Sequence, residues 1–250
     1  MILATDYDGT LSRGGISEGD RQAIIRFREE GNLYGVVTGR DFGGIYHTLS
    51  GEHGVPFDFI IVMNGAMAVD RNGDILYERS ADGCILPELI QTVKDICGYP
   101  TGCATGKTRC EFNAELPEGD EKYAPLSLAG KIREFTMANT RCATEDKAAH
   151  AVEILRERFG GYVNPLQNGV CIDIPPVGVD KGTGVADYAS LMGVPHDKIW
   201  TAGDNYNDLA MLTRFRGCAM ANGVQAVKEV SKGVYPDIAS IVAEMLEEKQ

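Results

Sequence analysis

A chain of 250 residues with 44% hydrophobic content can bury a real core, as one large domain or two ordinary ones. Its formal net charge of -12 disfavours nucleic acid and anionic membrane surfaces as partners. The longest apolar runs, such as Phe59-Ile-Ile-Val-Met63, fall far short of the roughly 20 residues a membrane span needs. Seven cysteines with no C-x-x-C pair, and no basic and apolar leader at the start, point to reduced thiols in a cytoplasmic protein.

The first stretch, Met1-Ile-Leu-Ala-Thr, is a short apolar strand that runs into Asp6-Tyr7-Asp8-Gly9-Thr10. Alternation along an extended backbone sets Asp6 and Asp8 on one face, before Gly9 allows a sharp turn. Ser17 with Asp20 three residues on signals a helix start, Ala23, Ile24 and Phe27 continue it at helical spacing, and Gly31 ends it. A buried strand over Leu33 to Thr38 stops at the polar turn Thr38-Gly39-Arg40. A helix from about Asp41 to Leu49 leads to a strand over Phe57 to Met63, which ends at Asn64-Gly65. Strands alternating with helices in this way imply a parallel sheet with right-handed crossovers.

The rhythm then changes. Ala66 to Asp70 and Ile75 to Glu78 flank Arg71-Asn72-Gly73-Asp74, a hairpin signal. Beyond it we expect a helix over Leu86 to Ile96, strands over Thr105 to Ala114 and Lys131 to Ala138, and a helix from Thr144 to Phe159 closed by Gly160-Gly161. A hairpin around Asn168-Gly169 follows, and Pro175-Pro176-Val177-Gly178 reads as a linker. From Asp180 the first rhythm resumes, with a helix to Leu191, strands over Lys198 to Ala202 and Gly217 to Met220, and a closing helix over Ile238 to Lys249. The expected fold is α/β: a parallel-sheet, Rossmann-like core of residues 1–81 and 176–250, interrupted by an inserted α+β cap of residues 82–175.

Polar groups gather at the ends of the core strands: Asp6 and Asp8, Thr38 and Gly39, and Asp204 and Asp208, with Lys181 joining them from a helix start. A parallel sheet brings such turns to one edge, where α/β folds bind ligands. Several carboxylates together need a cation, and an all-oxygen ligand set suits Mg²⁺ with a substrate phosphate. A hydroxyl, a lysine and backbone N–H groups complete a phosphate cradle. Within it Asp6 is a candidate nucleophile. Asp8 is a candidate proton shuttle for the leaving oxygen and for water.

Asp6-Tyr-Asp8-Gly-Thr10, Val37-Thr38-Gly39-Arg40, Lys181-Gly182 and Gly203-Asp204-Asn-Tyr-Asn207-Asp208 resemble, in order and spacing, the four motifs of the haloacid dehalogenase superfamily. The long insert after the second motif, preceded by Asn64-Gly65-Ala66, resembles the Cof-type sugar-phosphatase branch with its class IIB cap. The resemblance implies Mg²⁺ held by Asp6, the Asp8 backbone carbonyl and Asp204, with Asp208 supporting or ligating through water. It also implies Thr38 and Lys181 on the phosphate, Asn207 as a phosphate or supporting contact, and a mobile cap closing over the substrate. Arg40 is a possible substrate contact and equally a local ion-pair partner. Tyr7 departs from the commoner aliphatic residue, and Met220-Ala221-Asn222 is a looser version of the usual turn.

The function this implies is Mg²⁺-dependent hydrolysis of small phosphate monoesters, sugar phosphates first, through an aspartyl-phosphate. The alternatives are a phosphotransferase or mutase of the phosphomannomutase type, and a catalytically silent binding protein. A small phosphorylated metabolite is the expected partner, and the protein is expected as a monomer or small homo-oligomer. Taken singly, the acids are ordinary turn and capping residues, Thr38 is a cap and Lys181 a surface charge; only together do they make a site. Gly102-Cys-Ala-Thr-Gly106-Lys107-Thr108 is one residue short of a P-loop. Neither the cysteines nor His47, His53, His150 and His196 have zinc spacing. Lys107, Arg109, Glu111 and Arg141 are charged residues of the insert, read mostly as a solvated face.

Overall fold

The structure is a computed structural model that describes residues 1–51 and 54–248; His53 and Lys249 lie outside the described residues. The chain divides into two compact units, Met1–Tyr77 with Asp180–Gln250, and Glu78–Val179. Sequence reasoning set these limits at 82 and 175. Among the described residues no helix is long and apolar enough to cross a membrane.

In the first unit, β1 (Ile2–Thr5), α1 (Glu18–Glu29), β2 (Leu33–Val37), α2 (Phe42–Ser50) and β3 (Phe59–Val62) alternate as expected, and the hairpin β4 (Met67–Asp70) and β5 (Ile75–Glu78) follows. Ser17 and Asp41 cap the two helices by accepting from the amides of Asp20 and Gly44. The second unit carries β6 (Ala81–Asp82), α3 (Leu86–Cys97), β7 (Thr101–Thr105), β8 (Thr108–Phe112), α4 (Leu126–Ala129), β9 (Glu134–Phe135), β10 (Met137–Arg141), α5 (Glu145–Phe159), β11 (Leu166–Asn168) and β12 (Cys171–Ile174). The first unit then resumes with α6 (Lys181–Leu191), β13 (Ile199–Gly203), α7 (Leu209–Arg214), β14 (Arg216–Met220), α8 (Gln225–Val230), β15 (Gly233–Tyr235) and α9 (Ile238–Glu247).

The eight-stranded sheet of the first unit has the order β15-β14-β13-β1-β2-β3-β4-β5. β1 lies between β13 and β2 and is parallel to both, and β4 turns antiparallel on β3. The site strands β1, β2 and β13 are therefore neighbours, whatever their distance in sequence. On one face Ile2, Ala4, Phe59 and Ile61 pack with Val185, Tyr188 and Ala189 of α6 and Met211 and Leu212 of α7. The Phe59 and Tyr188 rings stack with centroids 3.8 Å apart. Such burial supplies about 1.5–3 kcal/mol per large apolar side chain and fixes α6, hence Lys181, against the sheet.

The second unit is a five-stranded sheet, β11-β12-β10-β7-β8, antiparallel throughout. α3 and α5 cover one face through Leu89, Val93, Ala151 and Leu155, which pack with Cys103, Phe112, Ala138 and Ile172. Two expected strands fell differently. The one drawn over Thr105 to Ala114 is the second arm of a hairpin, with β7 before it, because Gly106 takes φ +57 and turns the chain after Thr105. The rejected P-loop pattern is this hairpin. The strand drawn over Lys131 to Ala138 begins later and runs to Arg141, leaving Thr136 between β9 and β10. The short strand β15 was not foreseen.

Asp20 shows how the first unit ties its beginning to its end. Its fully buried carboxylate accepts from the Ala239 amide at the start of α9 at 2.9 Å and from Arg13 at 2.7 Å, and Arg13 also donates to the Thr10 carbonyl. We expect Asp20→Ala to lower unfolding stability by about 3 kcal/mol, because it strands a half-buried guanidinium and a helix-terminal amide. Urea titration measures this, and a loss under about 1 kcal/mol contradicts it.

Candidate active site

β1 ends at Thr5, one residue before the first acid, so Asp6 and Asp8 do not share an extended strand and their side chains part company. The Asp6 amide still donates to Ala202 of β13 at 2.8 Å, while Leu11 and Ser12 donate back to the carbonyls of Asp6 and Tyr7 and close a tight loop. The Asp6 carboxylate is buried; that of Asp8 is 58% exposed and grips Arg40 bidentately, at 2.6 and 2.8 Å. Arg40 also lies over the Tyr7 ring, 5.0 Å from its centroid. Arg40 thus has a local ion-pair partner in this structure, the second of the two readings the sequence left open.

Lys181 is the first residue of α6, whose start is set by a capping box: the Asp180 carboxylate accepts from the Thr183 amide and the Thr183 hydroxyl accepts from the Asp180 amide. The lysine side chain is fully buried, and its ammonium donates to Asp6 Oδ1 and Asp208 Oδ1, each at 2.6 Å. The other oxygen of Asp208 accepts from the amides of Asp204 and Asn205 at 2.9 and 3.0 Å. Both oxygens of Asp208 are therefore engaged by the protein. Asp204 Oδ1 accepts from the Thr10 hydroxyl at 2.7 Å.

Thr38 is buried just after β2, its hydroxyl accepting from the Arg40 amide at 3.1 Å and its carbonyl from the Asn64 amide at 2.9 Å. Gly39 follows at the same turn, and Asn207 sits half-buried on the short 3-10 turn Tyr206–Asp208. The structure brings Asp6, Lys181, Asp204 and Asp208 into one cluster; Asp8 and Arg40 form a pair at its exposed side.

Three contributors are not legible in the sequence. Thr10 holds Asp204, Asn222 donates to the Gly9 carbonyl at 2.9 Å, and the Asn64 amide ties its turn to Thr38. Thr10 and Asn222 stood inside quoted motifs, but nothing in a linear pattern says which carbonyl or carboxylate a hydroxyl or amide will reach.

The electrostatics are those of three crowded acids around one ammonium. Burial pushes the Asp6 pKa up to about 8; Lys181 pulls it down, and Asp208 and Asp204 push it up. Burial also raises Asp204, against the Thr10 hydrogen bond. For Lys181, burial works against the charge, and the Asp208 and Asp6 carboxylates overcome it, so its pKa stands above the ordinary lysine value. Carboxylate oxygens of Asp6, Asp204 and Asp208 lie within 4.8 Å of one another. A hard divalent cation fits this donor set, since one lysine cannot neutralise three acids. The approach depends on Gly9, whose φ is +83 and where a Cβ would collide with the Asp204 carboxylate.

Comparison with known proteins gives the family. The sequence model of a family described as haloacid dehalogenase-like hydrolase matches residues 3–241. The chain belongs to the haloacid dehalogenase-like hydrolases. A phosphoglycolate phosphatase of Pyrobaculum aerophilum is 40% identical over 241 residues, 93% of this chain and 88% of that one. A 5-amino-6-(5-phospho-D-ribitylamino)uracil phosphatase of Bacillus subtilis is 42% identical over 258 residues, 92% of this chain and 90% of that one. Among solved structures, a HAD/COF-like hydrolase of Plasmodium vivax superposes with a TM-score of 0.80 at 20% identity, over 100% of this chain and 96% of that one. In this haloacid dehalogenase-like hydrolase Asp6 follows β1, Asp204 follows β13, and Asp208 sits on the 3-10 turn beyond it.

The raised pKa of Asp6 makes a prediction. The metal-free fold holds a proton that the unfolded chain gives up, so this stabilisation is whole below the ordinary value of 3.8 and is lost as pH rises through about 8. In chelator, the melting temperature of the wild type should fall more steeply between about pH 5 and pH 8 than that of Asp6→Asn. Mg²⁺ should raise the wild-type value more at the higher pH, where it no longer competes with the proton. Equal slopes in the two proteins would refute the assignment of this proton.

Proposed function

We propose that this phosphoric monoester hydrolase is an Mg²⁺-dependent phosphatase of small phosphate monoesters, sugar phosphates foremost, working through a covalent phosphoryl group on Asp6. One observation carries the reading: a buried ammonium bridging Asp6 and Asp208, with Asp204 beside them. The two relatives described above are named as phosphatases of small phosphorylated compounds, which supports the substrate class.

In this reading Lys181 and Asp208 orient Asp6. With Oδ1 held by the lysine, Oδ2 is the atom that attacks phosphorus, and the bond from phosphorus to the ester oxygen breaks. Asp8, as an acid, gives its proton to the departing oxygen. As a carboxylate it then takes a proton from the water that cleaves the acyl phosphate and frees Asp6. To do so it must release Arg40, which makes Arg40 the group that parks the proton shuttle and also a possible contact for the substrate. The Thr38 hydroxyl, the Gly39 amide, the third N–H of Lys181 and the Asn207 side chain hold the transferring oxygens. Asp6, the Asp8 main-chain carbonyl and Asp204 would hold Mg²⁺, with Asp208 acting through its hydrogen bonds. The cation would offset the repulsion between the acids and an anionic substrate.

Asp6→Asn should abolish phosphate release from every monoester in a broad panel while leaving the circular dichroism spectrum intact. Substantial residual turnover would end the nucleophile assignment. Asp8→Asn should keep substrate binding and lower kcat by roughly 10²–10⁴-fold. If wild-type enzyme with Mg²⁺ yields isomerised sugar phosphate in place of free phosphate, the hydrolytic reading fails.

A further inference from the structure

The second unit contains a cavity of its own that the proposed reaction leaves unused. Its volume is about 380 Å³, and Tyr99, Arg109, Lys122, Tyr123, Asn139 and Arg141 are among the residues around it. Strand alternation explains the placement. Cys103, Cys110 and Ala138 lie opposite one another and turn toward the core under α3 and α5, so Gly102, Arg109, Asn139 and Arg141 stand on the other face.

The floor is Gly102, in the middle of β7, paired with Asn139 on one side and Glu111 on the other. Glycine weakens a strand interior and is used there where something must come close. Here a Cβ would collide with the Asn139 amide oxygen and the Arg109 guanidinium, so the glycine lets both lie flat across the sheet.

In a chain of net charge -12, the lining gathers three cations and one acid, Glu111, which Arg109 already engages at 3.2 Å. Asp173 shares the sheet face but does not line the cavity. Arg141 lies over the Tyr99 ring at 5.2 Å and Lys122 over the Tyr123 ring at 4.8 Å, and among the described residues neither forms an ion pair with a carboxylate. Two cations resting on aromatic shelves, beside an amide and above a glycine floor, form a receptor for an anionic group on a small organic body.

We propose that this cavity is an anion-binding site, taking a carboxylate or phosphate carried by a small molecule. That group is either the far end of the hydrolysed monoester, which rests on the phosphatase reading above, or a separate anion. The chemistry is shared and the test separates the two.

Full-length metal-free protein is titrated calorimetrically with malonate. Arg141→Ala and Lys122→Ala should each weaken its binding by about tenfold, and Arg141→Lys should retain most of it. No malonate binding to the wild type, or equal binding to wild type and both alanine variants, overturns the proposal. Turnover is then compared with Mg²⁺ for glycerol 3-phosphate and 3-phosphoglycerate, which differ by a distal carboxylate. A fall of about tenfold in the 3-phosphoglycerate to glycerol 3-phosphate ratio of kcat/KM in the alanine variants assigns the site to the substrate's far end. An unchanged ratio with malonate binding lost assigns it to a separate anion. Should the wild type hydrolyse neither ester nor any other monoester, the phosphatase reading falls, while the calorimetry still decides this one.

Discussion

Everything at the acidic edge of the first unit depends on one ammonium buried between two carboxylates. Lys181 cannot be hydrated where it lies, and Asp6 and Asp208 cannot both stay charged there without it. Buried ion pairs are poor sources of net stability, because desolvating the partners consumes most of what their attraction returns. Their worth here is geometric. Two short charge-assisted hydrogen bonds from one nitrogen fix Asp6 Oδ1 and Asp208 Oδ1, and the other oxygen of Asp208 is fixed in turn by the amides of its own turn. In the proposed reaction, a carboxylate held this way needs little reorganisation when a phosphate arrives.

The rest of the first unit serves that arrangement. β1 lies between β2 and β13, so the turns after all three strands open at one edge, and the capping box at Asp180 aims α6 into the same place. The excess of acid over lysine leaves the site poised for a cation, while burial is what chiefly raises the Asp6 pKa. Thr10 and Gly9 bring Asp204 up to the first loop, one by donating a hydrogen bond and the other by having no side chain to obstruct it.

Much of this was legible in the residues. The alternation of strand and helix, the interruption by an α+β insert and the four polar turns all follow from periodicity, caps and turn residues, and the helix caps at Ser17 and Thr144 fell where those rules put them. What escaped depends on the third dimension. The i, i+2 rule set Asp6 and Asp8 on one face, yet the strand stops at Thr5 and the rule no longer applies. β7 was hidden because two glycines and a Gly-Lys-Thr run resemble a loop, while in the fold one glycine is a sheet floor and the other a hairpin turn. In sequence Asp20 reads only as the carboxylate of a helix-start signal; its pairing with Arg13 and its hold on the start of α9 exist only in the fold.

The tie between Asp20 and α9 bears on how the protein is made. Lys181 meets Asp6 across 175 positions, Thr10 meets Asp204 across 194, and Asp20 meets Ala239 across 219. On a ribosome the amino-terminal acids emerge first and wait, while the inserted unit, with its own sheet and core, can fold in the interval. β1, which leads into Asp6, has no partner on its β13 side until residues 199–203 have been made, and the loop behind it is not braced until α9 docks. A nascent chain that has not yet reached Lys181 therefore lacks the ammonium that holds Asp6 in place.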